Sequence, residues 1–338
     1  MSQHIAVIGA GLAGLVCASR LSEAGFQVHV FDKSRGVSGR LSTRRGEGWQ
    51  ADHGAQYFTA SDPAFVQQVQ CWEQAGVVQV WQPELHVAGS TSRGSGAADV
   101  VRYVGVPSMT APARALAAGL DVQLQATVQS VQRDQAGWRI QVAEEAARAA
   151  CDRLFDAVVL AVPSPQAVPL LQACAPDLAA QALQAIMSPC WSAIARFDTP
   201  CDPGFDAAFV NEGALRWVAR DSAKPGRPAT ETWVLHASPA WSEQHLEDAP
   251  DQVAEQLVQA FVALGGGEPC SVVAHRWRYA QAAVPLGVSF LHDAGLRLGV
   301  CGDWLANGTV EGAWTSGAAL AAHLVQETGA PVQDANEG

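Results

Sequence analysis

The run Gly9-Ala10-Gly11-Leu12-Ala13-Gly14 sets three glycines at the spacing G-x-G-x-x-G, and an acid, Asp32, follows the last of them by 18 residues. Each position has a chemical reason. Gly9 permits a tight turn, Gly11 removes the Cβ that would block a pyrophosphate, and Gly14 lets a helix lie close to a strand. The first N–H groups of that helix then face anionic phosphates, and Asp32 is placed to accept hydrogen bonds from an adenosine ribose. The turn by itself does not distinguish NAD from FAD. Two further features favour FAD. Residues 35–45, Arg-rich with Gly39-Arg40 at their centre, come directly after the second expected strand, where an extended dinucleotide would continue. Far along the chain, Gly302-Asp303 and Val310-Glu311-Gly312-Ala313 form another strand-to-helix junction.

These groups need a frame to hold them. His4 to Ile8 is a short β-branched run, Leu15, Val16, Ala18 and Leu21 follow at helical spacing, and Gln27 to Phe31 is a second apolar run, which together predict a βαβ unit. Lys33 to Gly54, with four Arg and five Gly, reads as a loop, and residues 83–99 read as another. Asp62-Pro63 opens an amphipathic helix to Ala75. Pro107 to Gly119 reads as helix, and Val122–Leu124, Thr127–Arg133 and Trp138–Ala143 read as an antiparallel meander. Asp156 to Pro163 has the continuous apolar character of a strand buried on both faces. Several strands rich in Trp, Phe and Val are expected between Cys190 and His236, broken by a polar turn at 221–228 and followed by a helix over 250–264. A strand over Leu296–Cys301 and a helix over Val310–Gln326 close the chain, and a polar tail follows.

Length and composition bound the answer. With 338 residues, 49% of them hydrophobic, the chain predicts two domains with a sizeable core in each. Its net charge of −12, without a basic run, argues against sequence-independent nucleic-acid binding. The apolar stretches fall short of a membrane span and the N-terminus lacks a positively charged lead-in, so the expectation is a soluble cytoplasmic protein. Eight cysteines stand without a CxxC pair, and no histidine accompanies them at metal-ligand spacing. Buried thiols and no metal site are therefore expected.

Val7-Ile8-Gly9-Ala10-Gly11, Ser38-Gly39-Arg40, Asp52-His53-Gly54-Ala55-Gln56-Tyr57-Phe58, Val159-Leu160-Ala161-Val162-Pro163, His275-Arg276-Trp277-Arg278-Tyr279 and Gly302-Asp303 with Val310-Glu311-Gly312-Ala313-Trp314 together resemble the flavin amine oxidase superfamily. Within it they are most similar to the renalase branch, particularly its bacterial members. The likeness covers about residues 4–326. The N-terminal turn is generic, whereas the GAQYF, HRWRY and GDW…VEGAW stretches are more specific.

The resemblance implies a p-hydroxybenzoate-hydroxylase-like α/β fold: a Rossmann-type FAD-binding domain (residues 1–62, 103–187 and 271–330) and a mixed-sheet α+β substrate domain (63–102 and 188–270), with 331–338 as a frayed tail. It also implies noncovalent FAD and oxidation of 2- and 6-dihydro isomers of NAD(P)H, with a hydride taken at flavin N5 and oxygen reduced to hydrogen peroxide. By motif, Gly9, Gly11, Leu12, Ala13, Gly14, Asp32, Lys33, Gly39 and Arg40 would hold the adenine and pyrophosphate end, and Val128 would pair its backbone with adenine. Ala55, Gln56, Tyr57 and Phe58 would lie by the isoalloxazine. Pro163, Gly302, Asp303, Val310, Glu311, Gly312 and Ala313 would complete the cofactor site. Tyr57, Phe58, Thr59, Trp277, Arg278, Tyr279 and His245 would meet a small dinucleotide substrate.

The residue counts then bear on the chemistry. Only Lys33 and Lys224 are lysines. Amine oxidases of this superfamily place a Lys near flavin N5 through a water; Lys33 belongs to the nucleotide loop and Lys224 to a Pro/Gly/Arg turn, so neither is expected in that role. Oxidation of a dihydropyridine needs no general base, because the ring nitrogen's lone pair expels the hydride, so placement does most of the work. No side chain is therefore expected as catalytic acid or base. Glu311, near an anionic reduced flavin, is expected to point away or to cap its helix. Arg196, Arg216, Arg220, Arg227 and above all Arg278 are candidates to grip substrate phosphates. The alternative is that they pair with the chain's excess acids. His236 and His245 read either as ligand partners or as satisfied structural histidines. An amine oxidase or dehydrogenase, and a non-catalytic flavin or nucleotide binder, stand as alternatives.

Overall fold

Short apolar strands from both ends of the chain build the first of two compact units, which comprises Met1–Gly39, Ala113–Met187 and Ala282–Gly338; the second comprises Arg40–Pro112 and Ser188–Gln281. The computed structural model describes residues 3–89 and 100–328. The expected loop over 83–99 lies partly, and the expected tail 331–338 wholly, outside the described residues.

In the first unit, β1 (His4–Ile8), β2 (Gln27–Phe31), β8 (Asp121–Gln123), β11 (Ala157–Leu160), β17 (Leu291–Asp293) and β18 (Leu298–Val300) form a six-stranded sheet in the order β17-β18-β11-β1-β2-β8. All neighbours are parallel except the edge strand β17. The two-residue alternation of each strand divides its side chains between two cores. Ile5, Val7, Val28, Val30 and Val159 pack with Leu15 and Leu21 of α1 (Leu12–Glu23), Ala113 of α3 (Ala111–Ala117) and Leu320 and Leu324 of α9 (Val310–Thr328). Ala6, Ile8, Phe31, Val158 and Leu160 face the other way. They pack with Val131 of β9 (Val128–Asp134), Trp138 of β10 (Gly137–Val142), Leu171 of α4 (Ser164–Leu171), Leu178 of α5 (Pro176–Ala182) and Trp304 of α8 (Asp303–Ala306). The strand–turn–helix–strand reading at the N-terminus and the buried strand at 156–163 match these elements. The meander does not: β8 pairs parallel with β2, and only β9 and β10 form an antiparallel hairpin.

In the second unit, β6 (Leu85–Ala88), β12 (Ile186–Arg196), β13 (Ala207–Val210), β14 (Leu215–Arg220), β15 (Thr232–Ala237) and β16 (Ser271–Val284) run in the order β16-β12-β15-β14-β13-β6. Val253, Leu257 and Phe261 of α7 (Pro250–Val262) cover one face against Trp191, Trp233 and Leu235. Smaller pieces complete it: the pairs β3 (Thr43–Gly46) with β4 (Trp49–Asp52) and β5 (Val78–Trp81) with β7 (Arg102–Gly105), and the helices α2 (Pro63–Gln74) and α6 (Pro239–Gln244). The Asp62 carboxylate caps α2 by accepting from the N–H groups of Ala64 and Phe65. The expected loop over 33–54 contains the β3–β4 hairpin, because Ala51 is fully buried against Ile194 and Val234. Residues 40–62, 103–112 and 271–281, expected with the nucleotide domain, group with the second unit. No described helix is long and apolar enough to cross a membrane.

Candidate dinucleotide site and a buried charge cluster

The parallel strands of the first unit bring their carboxyl ends to one edge of the sheet, which is where open α/β sheets bind ligands. Gly9, Asp32, Pro163 and Gly302 each follow one of these ends, after β1, β2, β11 and β18. The three glycines of the turn separate by what they face. Gly9 has φ +113°, and a Cβ there would lie 2.4 Å from the Ala161 carbonyl oxygen. A Cβ on Gly14 would lie 2.0 Å from the Gly9 carbonyl oxygen. A Cβ on Gly11 would meet nothing within 4 Å. Two glycines therefore serve the fold, and the third keeps space open at the start of α1, where the helix dipole favours an anion.

Asp32 is held as that role requires. Its Oδ2 accepts from the Ala10 N–H at 2.7 Å and its Oδ1 from the Ser34 N–H at 2.7 Å, and a carboxylate keeps acceptor capacity beyond two bonds. The Ser38 N–H donates to the Ala10 carbonyl, and Gly39, with φ +54°, lies against Gly11. The Ala126 N–H donates to the Asp32 carbonyl, which ties the approach to Val128 and β9 to this end of the sheet. Lys33 is exposed. At the second junction, the Gly302 N–H donates to Ser316 Oγ, Asp303 begins α8 with 5% exposure, and α9 starts at Val310. The side chain that caps α9 is Thr309, whose Oγ1 accepts from the Gly312 N–H at 3.0 Å; Glu311, expected to point away or to cap, stands one residue inside the helix. A Cβ on Gly312 would collide with Asn307. The open Gly11, the anchored acid and the helix start fit a dinucleotide cofactor.

The second unit holds the other candidates, and its centre is a set of groups that composition did not announce. Asp52, Asp221, Lys224 and Arg227 have side chains with no exposed surface. Lys224 Nζ donates to Asp221 Oδ1 at 2.7 Å, Asp52 Oδ2 at 3.4 Å and Gln56 Oε1 at 3.3 Å, so all three ammonium hydrogens are used. Arg227 reaches Asp52 Oδ2 at 2.5 Å, and Thr43 Oγ1 and the Met109 N–H supply that acid's other oxygen. Burial would raise the pKa of Asp52, but Lys224 and Arg227 together overcome this and hold it below the ordinary carboxylate value. Asp221 goes the other way: burial first, then the nearby Asp52, pushes it up. The polar turn at 221–228 is thus an interior feature. Paired opposite charges are the condition under which such groups tolerate burial.

Around this cluster the expected site residues part company. The Gln56 side chain is 5% exposed and donates to the Asp52 carbonyl. The Tyr57 ring lies among Trp81, Trp217 and the Arg102 guanidinium. Phe58 is a core residue instead, 4% exposed against Phe65 and Tyr103, and Thr59 is exposed beside it. The Arg40 carbonyl accepts from the Ala55 N–H, and its guanidinium donates to the Ala280 carbonyl. Trp277 stacks on His53 and donates to the His53 carbonyl at 3.0 Å, with Tyr279 further along β16. Arg278, expected to grip phosphate, is exposed and its fork is taken by Glu247 at 2.6 and 2.9 Å. Arg196, Arg220 and Arg227 likewise bond within the protein, as does Arg216 with Gln281. His245 pairs with Asp248 at 2.7 Å and stacks on Trp241.

Two histidines here are poor bases. Burial, helped by His275 and Arg44, lowers the pKa of His53 to about 4, and burial above all lowers that of His236 to about 3. In the unfolded chain both would protonate near 6.5. Stability is therefore complete above that value and falls as pH drops below it, by about 1.4 kcal/mol per pH unit for each histidine. Denaturant titrations at pH 7 and pH 5 will show this loss; equal stability at the two would refute the burial of neutral imidazoles.

Comparison with known proteins agrees with this geometry. The profile of a NAD(P)-binding Rossmann-like domain matches residues 7–70, and that of the flavin containing amine oxidoreductases matches residues 83–325. Over 66 residues the chain is 38% identical to an L-amino-acid oxidase of Siganus canaliculatus, an alignment covering 19% of this chain and 12% of that protein. Over 50 residues it is 46% identical to a 4,4'-diapophytoene desaturase of Staphylococcus haemolyticus, covering 15% and 10%. The aligned parts thus span about a tenth of these relatives. A solved structure from Exiguobacterium sp. 255-15, provisionally named a protoporphyrinogen oxidase, superimposes with TM-score 0.74 at 13% identity over 97% of this chain and 99% of that one. Wild-type putrescine oxidase bound to putrescine gives 0.66 at 14% identity over 96% and 99%; at such identities the likeness speaks to fold.

Proposed function

The chain belongs to the flavin containing amine oxidoreductase family, with FAD as its cofactor, and from this premise we propose that it is a renalase-like oxidase. Its donors are 2- and 6-dihydro isomers of NAD(P)H and its electron acceptor is molecular oxygen, so that dihydropyridine, oxygen and a proton become NAD(P)+ and hydrogen peroxide. FAD, when bound, supplies the hydride acceptor. The chain's own residues do the rest by position. Gly11 leaves room for the pyrophosphate, and Asp32 is placed to accept from the ribose.

The observation that carries the choice of donor is the state of the basic side chains. An amine arrives as ammonium and must lose a proton before it can be oxidised. Lys224 has all its hydrogens committed to Asp52, Asp221 and Gln56, Lys33 sits on the nucleotide loop, and His53 and His236 are held far below the range of a useful base. A dihydropyridine makes no such demand. The test is anaerobic mixing of the purified flavoprotein with the dihydro-NAD isomers that borohydride reduction produces. Rapid loss of the flavin's visible absorbance with the 2- and 6-dihydro isomers, and slow or no loss with 4-dihydro-NADH, is expected. Reduction by primary amines alone, or by none of these donors, would overturn the reading.

A further inference from the structure

The edge strand β17 and the end of α9 bring together three residues that no part of the redox chemistry uses: His292, His323 and Glu327. One ligand atom from each falls within a span of 4.8 Å. His323 and Glu327 are four residues apart on α9, so they share one helix face. That face meets His292 of β17, whose Nδ1 lies 3.0 Å from His323 Nε2 and whose Nε2 lies 3.4 Å from Glu327 Oε2. We propose that this cluster is a binding site for a divalent transition metal of the zinc type, clamping the end of α9 to the edge of the first sheet.

Several observations bear on it. The His292 side chain is 7% exposed, and its Nε2 is buried without a hydrogen-bond partner although the Glu327 carboxylate stands beside it. A buried nitrogen left so is costly unless something else satisfies it. Tetrahedral zinc with bonds of about 2.0–2.1 Å sets its ligand atoms roughly 3.3 Å apart. His292 Nε2 and Glu327 Oε2, 3.4 Å apart, already stand near that spacing, and His323, whose Nε2 now meets the other nitrogen of the His292 ring at 3.0 Å, has to turn to join them. Two imidazoles and a carboxylate form the donor set that zinc, cobalt and nickel take, and calcium and magnesium do not. The site also lies in the last two turns of α9, where the helix dipole favours a cation. His292 further borders a cleft of about 400 Å³ whose lining includes Cys174, Asp177 and Asp293.

The test uses the purified flavoprotein, freed of metal by a chelator and desalted, and titrated calorimetrically with zinc chloride. One zinc per chain is expected, with a zinc-dependent rise in melting temperature. His292→Asn and His323→Asn, each checked for unchanged circular dichroism, are expected to weaken zinc binding more than about 10-fold, the loss that even an outer-shell partner produces. Glu327→Gln alters the most exposed of the three and serves as the informative variant if a histidine replacement does not fold. Zinc binding no tighter in the wild type than in the His292→Asn/His323→Asn double variant, or unchanged in Glu327→Gln if the histidine variants fail, would overturn the site and leave an ion-free histidine relay.

Discussion

Gly11→Val will purify colourless and folded. The residue before α1 has φ −76° and ψ 176°, extended backbone that a β-branched side chain adopts readily, and a Cβ there meets no protein atom within 4 Å. The valine therefore leaves the fold alone and fills the space reserved for the pyrophosphate. Affinity for FAD should fall by at least about 100-fold, because a bulky group then occupies the anion position at the helix start. Visible absorbance per chain, circular dichroism and a titration with free FAD separate the two effects. Gly14→Val is the contrast: its Cβ would lie 2.0 Å from the Gly9 carbonyl oxygen, so that variant should fail at the level of folding. A Gly11→Val protein with full flavin would remove the assigned turn from the account.

Lys224→Met has the second large effect. The methionine, one atom shorter, keeps most of the apolar stem beside the Trp81 ring and removes the charge that Asp52 and Asp221 share. Two buried carboxylates then depend on Arg227 alone. Breaking a buried pair from one side costs about 3–5 kcal/mol, since the uncompensated charge stays behind, and roughly 10 °C of melting temperature follows. Adding Asp221→Asn should recover much of this loss, because the amide needs no counter-charge. A melting temperature within about 2 °C of wild type for Lys224→Met would contradict the charge-paired interior, as such a small shift corresponds to about 1 kcal/mol or less.

What the sequence made legible was local. Gly9, Gly11, Gly14 and Asp32 lie within one βαβ unit, so their spacing alone carries their geometry. The strand Ala157–Leu160 declared itself because burial on both faces demands an unbroken apolar run. Features built by long-range pairing were hidden. Asp121–Gln123 looks like any short strand until it pairs with His29–Phe31 and joins the parallel sheet. Lys224 and Arg227 sit among Pro225, Gly226 and Pro228 and read as a surface turn; only Asp52, 172 residues before Lys224, reveals why they are interior. A sign was present in Asp221, Lys224 and Arg227, spaced so that a tight turn brings them together, but its meaning required the partner. Arg278 misled for a similar reason, since Glu247, which takes its fork, lies 31 residues away. His292 and His323 are equally far apart, beyond any metal-ligand spacing that a motif search would credit.

FAD held noncovalently on the turn built from Gly9, Gly11 and Gly14 comes free when the protein is denatured. Acid precipitation of the wild-type protein, followed by chromatography of the supernatant, measures it directly. One FAD released per chain, and none left with the precipitate, is the predicted result. Protein that binds no flavin, even after incubation with free FAD, or that releases a nicotinamide coenzyme in its place, would contradict it.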